Sequence, residues 1–121
     1  MAFVNEWRMN DKGLNDLITV DRDRNAELIH HFPKPEFSYQ LELRVAGNKI
    51  LLDVEKHAPI IGSAKIDINW NVKRAYGDQD LLSAPDRVQK LVTEALNVYG
   101  NHGYSDDVGA ITVDFSKTQW V

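Results

Sequence analysis

Tyr39-Gln40-Leu41-Glu42-Leu43-Arg44-Val45, then Ala46-Gly47-Asn48-Lys49, then Ile50-Leu51-Leu52-Asp53-Val54-Glu55: this stretch decides the fold. Apolar residues alternate with polar ones before the break, and Ile50, Leu52 and Val54 resume the alternation after it. A strand places successive side chains on opposite faces, so each half has one buried face and one wet face. Gly47 and Asn48 both tolerate positive φ, and a Gly-Asn pair between two alternating runs specifies a β-hairpin.

The pattern extends outward on the C-terminal side. Over residues 63–74, Ile66, Ile68, Trp70 and Val72 point one way, while Lys65, Asp67, Asn69, Asn71 and Lys73 point the other. Between Ser83 and Gly100 the period changes. Val88, Leu91, Val92, Ala95, Leu96 and Tyr99 recur at helical spacing. Ser83 is placed to cap the helix, with Pro85 in its first turn, and Gly100 to end it. A last strand over residues 110–115 puts Ile111, Val113 and Phe115 on one face. A strand, a helix and a strand in this order make a crossover unit, right-handed if the strands are parallel.

The N-terminal third is less regular. Residues 1–9 suit an edge strand. Residues 12–21 fit a short helix through Leu14, Leu17 and Ile18, or a strand through Ile18-Thr19-Val20. Phe32-Pro33-Lys34-Pro35 is a rigid extended connection. The expectation is an α+β fold in a single domain spanning residues 1–121. It is a two-layer sandwich: a mostly antiparallel sheet of about four to five strands, with one long helix packed on its apolar face.

Composition narrows the function. The 121 residues include no cysteine, which excludes a disulfide framework, a zinc finger and a thiol nucleophile. Together with Glu6 and Arg8, which interrupt any apolar leader core, this points to a reducing, cytoplasmic setting. A net charge of −4 argues against nucleic acid or an anionic membrane as partner. The apolar runs are a few residues long, far short of the roughly 20 that span a bilayer. The outer sheet face is mixed in sign and almost free of aromatic residues, unlike a sheet that stacks bases.

Candidate chemistry is sparse. No glycine precedes a phosphate-binding Lys-Ser or Lys-Thr, and no nucleophile elbow occurs. Neither a cofactor nor a metal is expected. His30 and His31 are adjacent, which on a strand sends them to opposite faces rather than to one metal. Asp21-Arg22-Asp23-Arg24-Asn25 opens like a calcium loop, but Ala26 stands where glycine is required and Phe32 where the bidentate glutamate should be. The most polar loop is residues 101–107. There His102, Tyr104, Asp106 and Asp107 are the candidate catalytic or binding residues, with His57 as a possible addition at the mouth of a pocket between helix and sheet. Asp, Asn, Gly and Ser are equally the residues of an ordinary turn.

The balance favours a protein-binding module over an enzyme: an inhibitor, an immunity-like factor or a self-associating subunit. The partner is then another protein or a second copy. The alternative is a small enzyme or ligand-binding domain using the 101–107 loop.

Overall fold

The computed structural model describes residues 2–31, 38–57, 60–61, 65–99 and 108–121. These residues are mostly sheet. Strands β1 (Val4–Met9), β2 (Asn15–Asp21), β3 (Ala26–His31), β4 (Ser38–Val45) and β5 (Asn48–His57) form an antiparallel meander. The two-residue β6 (Ile60–Ile61) and the 13-residue β7 (Lys65–Gly77) follow. β7 pairs antiparallel with β5 and β6. Two helices come next, α1 (Gln79–Leu82) and α2 (Pro85–Tyr99). β8 (Val108–Asp114) and β9 (Gln119–Trp120) then pair parallel with β7.

The expected sandwich of four to five strands under one long helix is therefore corrected. Among the described residues nine strands form a single sheet, curled into a half-barrel with two short helices. The difference lies in the N-terminal third, which contributes three strands. Alternation there is weak for a physical reason. In β2 the residues Leu17 to Asp21 are buried in succession, so both faces are covered. In β1 all but one residue is exposed. A period-2 signal needs one wet face and one dry face, and neither strand has that.

The inner face carries the core. Leu17, Leu28, Leu41, Leu43, Leu52 and Trp70 are among its buried side chains, covered by the helical stripe of α2. The hairpin lies where the sequence places it, but its turn is shifted by one residue. Ala46 (φ 51°) and Gly47 (φ 86°) take the left-handed positions, not Gly47 and Asn48. Ser83 likewise does not start α2. It closes α1, and its hydroxyl donates to the Asp80 carbonyl. α1 is capped by Asp78, whose carboxylate accepts from Leu81 N at 3.2 Å. The expected Gly100 cap lies outside the described residues.

Gly77, at the end of β7, cannot be exchanged freely. Its φ is 134°, and a Cβ there would lie 2.8 Å from the Lys49 carbonyl oxygen. Gly77→Ala is expected to lower unfolding stability by about 1–3 kcal/mol. Urea unfolding of the variant checks this; a midpoint equal to the wild type would show that the β5–β7 approach is not this close.

The two ends of the half-barrel differ. One end holds tight turns: 22–25 and 46–47 touch through Ala46 N and Asn25 O at 2.9 Å, and Asp78 N reaches Lys49 O at 3.0 Å. The other end holds the β1–β2 turn and the residues His31, Ser38, His57 and Lys65.

Candidate functional site

β1 is one edge of the sheet, paired on one side only among the described residues. Its side chains alternate about that edge. Phe3, Asn5, Trp7 and Met9 lie on the inner face, since Asn5 stands opposite Thr19 and Trp7 opposite Leu17. Val4, Glu6 and Arg8 lie on the outer face. Phe3 is buried, but Val4, Trp7 and Met9 are 50%, 59% and 68% exposed. With Leu14 in the adjoining turn, they make up four of the five exposed large apolar side chains among the described residues. Clustered exposed apolar residues mark interaction surfaces, whereas scattered ones do not.

The outer face behind this edge is an ordered chain of charge. Arg22 donates to Glu6 Oε1 at 2.9 Å, and Arg8 donates to the same oxygen at 3.3 Å. Arg8 also donates to Glu27 at 2.9 Å. Arg44 lies 3.7 Å from Glu27 and bonds Glu42, which is joined to His31 at 3.1 Å. The signs alternate across four strands. Beneath lie Ile18, Val20 and Ile29, a small apolar cluster separate from the main core. Arginine stems can cover apolar surface while their heads stay wet, so the chain of charge acts as a lid on this cluster. This face is thus more than a solvated surface of mixed charge.

The electrostatics follow from these partners. The Arg22 hydrogen bond is the main reason the Glu6 carboxyl is held below its ordinary range. Burial pushes Glu42 up, but the hydrogen bonds from Arg44 and His31 outweigh it, so Glu42 is also held low. Asp21 is lowered chiefly by the Arg24 side chain. It also accepts from Asp23 N and Arg24 N, which makes the segment resembling a calcium loop the internal scaffold of the β2–β3 turn.

A carboxyl that is lower in the folded state than in the unfolded state binds fewer protons when folded. Its contribution to stability is complete above the ordinary carboxyl range, about 3.9–4.3, and disappears as pH falls through the lower folded value. The thermal midpoint is therefore expected to be flat from neutral pH down to about pH 4 and to drop below it. Glu42→Gln should flatten that drop. Melting curves across this range test the assignment, and an acid profile unchanged in Glu42→Gln would remove Glu42 from it.

On the inner face, the row Thr19, His30, Tyr99, Trp70 and Tyr39 forms a second constellation. Asn5 Nδ2 donates to the Val98 carbonyl at 3.1 Å, and Thr19 Oγ1 donates to Asn5 Oδ1 at 2.9 Å. His30 Nε2 lies 3.3 Å from Thr19 Oγ1. The His30 ring stacks on Tyr99 with centroids 3.7 Å apart, and Lys56 Nζ sits 5.2 Å above the Trp70 ring. His30, Trp70 and Tyr99 are all buried, so the row is a sealed joint that locks the end of α2 to the sheet.

His30 and His31 are split to opposite faces, as strand geometry requires. Of the candidates read from the sequence, His102, Tyr104, Asp106 and Asp107 lie outside the described residues. His57 is on the outer face, exposed and 3.8 Å from Glu55, so it does not line a pocket between helix and sheet. Among the described residues no cluster of three His, Asp or Glu side chains could hold a metal ion. No helix there is long and apolar enough to cross a membrane.

Beside the start of β1 runs a shallow groove of about 660 Å³, lined by Ala2, Phe3, Arg24, Glu94, Asn97 and Val98, among others. Arg24 bonds both Asp21 and Glu94 and lies over the Phe3 ring. The groove borders the chain just before β1, through Ala2 and Phe3. Glu6 and Arg8 were legible only as residues interrupting an apolar leader; the missed signal was their i, i+2 spacing around Trp7 on a strand. No protein-family model, curated protein or solved structure gives a significant match to the chain.

Proposed function

We propose that this chain is a protein-docking module, not an enzyme, and that it receives a strand of its partner along the outer edge of β1. The observation that carries this reading is a six-residue strand that pairs on one side only among the described residues, with Val4, Trp7 and Met9 exposed along it. An exposed edge offers a row of N–H and C=O groups to another chain, and strand addition turns such a row into affinity while alternate side chains supply selectivity. An inhibitor, an immunity-like factor or a self-associating subunit would each work this way. The same proposal places the module in the cytoplasm; the absence of cysteine from the chain supports that setting.

The test separates the backbone edge from the side chain. Trp7→Ala keeps the Trp7 N–H, whereas Trp7→Pro removes it. Proline is tolerated on an edge strand where that N–H faces outward. Affinity capture with the tagged protein from its native host is expected to recover a partner with the wild type, less with Trp7→Ala and none with Trp7→Pro. Equal recovery by wild type and Trp7→Pro would end the strand-addition reading.

A further inference from the structure

We infer that a cup at the start of α2, lined by Arg24, Arg87, Lys90 and Leu91, takes the acidic end of a short extended segment of a partner protein, whose apolar end lies in the groove over Phe3 and Val98. This site is separate from the β1 edge and does not rest on strand addition there.

The cup has a volume of about 330 Å³ and sets three cations around a buried leucine. Its charge is what remains after the other arginines have found partners. Of the six arginines, Arg8, Arg22, Arg24 and Arg44 are held in ion pairs, and Arg74 lies over the Tyr76 ring. Among the described residues Arg87 has neither kind of partner, and it is exposed. Lys90 is exposed too. A carboxylate stands four residues away on either side of it, Asp86 and Glu94, and it bonds neither. Glu94 is taken by Arg24, which also bonds Asp21 at 2.7 Å. These bonds fix the third cation at the wall of the cup. They also withdraw the carboxylate that helical spacing would offer to Lys90.

The placement runs against helix stability. Arg87 stands in the first turn of α2, where aligned peptide dipoles favour acids and oppose bases. Asp86 supplies the acid of that turn but does not line the cup. A chain of net charge −4 thus gathers unneutralised positive charge at a helix end that is itself positive. What complements it is an anion.

The groove determines the rest of the occupant. Arg24 lines both the cup and the groove, whose walls are mostly apolar. The groove is shallow and open, whereas a small-molecule site encloses most of its ligand. A chain segment lying along α2 suits such a surface. Arg87 and Val98 are 11 residues apart, about 16 Å along a helix. An extended segment with an apolar side chain and a pair of carboxylates about five residues apart spans that distance.

The probe is a synthetic peptide with two leucines at one end, two aspartates at the other and a Gly-Ser spacer between them, made in both chain directions. Added to the isotope-labelled full chain, it is expected to shift the amide signals of Lys90, Leu91, Glu94 and Val98, and raised salt should weaken the binding. Arg87→Gln and Lys90→Gln should each weaken it about two- to fivefold, as loss of an exposed ion pair does. The double variant Arg87→Glu with Lys90→Glu should abolish it, and the single exchanges to glutamine decide the matter if that variant does not fold. Arg87→Gln should leave the melting temperature unchanged or raised; a fall would assign Arg87 to the fold instead. Peptides with lysine for aspartate, or serine for leucine, should not bind. Trp7→Pro should bind the peptide as the wild type does, so that failure of strand addition and failure of this site are read apart.

No shift along α2 with the peptide in either direction, or a shift that survives the double reversal, would overturn the site. Equal binding of the leucine and serine peptides would overturn the extended occupant.

Discussion

Replacing Trp70 with alanine is expected to cost about 3–5 kcal/mol, a large share of the roughly 5–15 kcal/mol that holds an ordinary domain folded. Trp70 is 1% exposed and heads the largest fully buried side chains. It meets Tyr39 and Tyr99 edge-on, with centroids 5.8 and 6.2 Å away. It stands on β7, the strand that binds the meander to β8, and touches the last residue of α2. Its loss opens a cavity where three elements meet, and rigid sheet surrounds most of it, so collapse is limited. Trp70→Phe should cost less. It keeps a ring for both aromatic neighbours and removes an indole N–H for which no described residue is an acceptor. Chemical unfolding followed by far-UV circular dichroism measures both, because the substitutions remove the buried tryptophan and leave only Trp7 and Trp120 to emit. A loss under about 1 kcal/mol for Trp70→Ala would mean that this joint is not closed.

The second large effect concerns the phase of α2. Leu96 is fully buried against the sheet, while Asn97 is exposed with its side chain donating to the Thr93 carbonyl at 2.8 Å. A lysine at position 96 must either ionise in an apolar site or give up its proton. Buried lysines shift by up to about three to five pKa units, and at 1.36 kcal/mol per unit that is about 4–7 kcal/mol. Leu96→Lys is therefore expected to undock α2 and expose the inner face. Asn97→Lys, one residue along, should stay within about 0.5 kcal/mol. Thermal melts with dye binding as a second readout compare the two. Equal effects at the two positions would refute the assigned helix face.

How much of this was legible before the structure varies by segment. The hairpin from Tyr39 to Glu55 and the strand through Trp70 were readable because each has one dry face. The α2 stripe was readable because its six apolar positions repeat at helical spacing. The first strands were not, because Leu17-Ile18-Thr19-Val20-Asp21 is buried on two faces at once. What buries its outer face is a set of arginines and glutamates, which look in sequence like residues meant for water. Trp7 was visible as a residue outside the clear elements, but its meaning depended on β1 being an edge. The inner row was invisible, since His30, Thr19 and Tyr99 are far apart in sequence and only the fold brings them together. Capping was misread at Ser83, because α1 occupies the space where a single helix start was expected.

The order of the strands also matters while the chain is being made. Synthesis delivers the N-terminus first. From Val4 to His57 each strand pairs with the one before it, so contacts can form over short loops, the fast kind. The sheet's inner face, however, is closed by residues 85–99 of α2, which reach back to β1, β2 and β3. A nascent chain that has completed its meander therefore carries Leu17, Leu28, Leu41 and Leu52 in the open until Pro85–Tyr99 has been made as well. Through that interval the protein depends on speed, or on a chaperone, to keep this face from finding another ribosome's product.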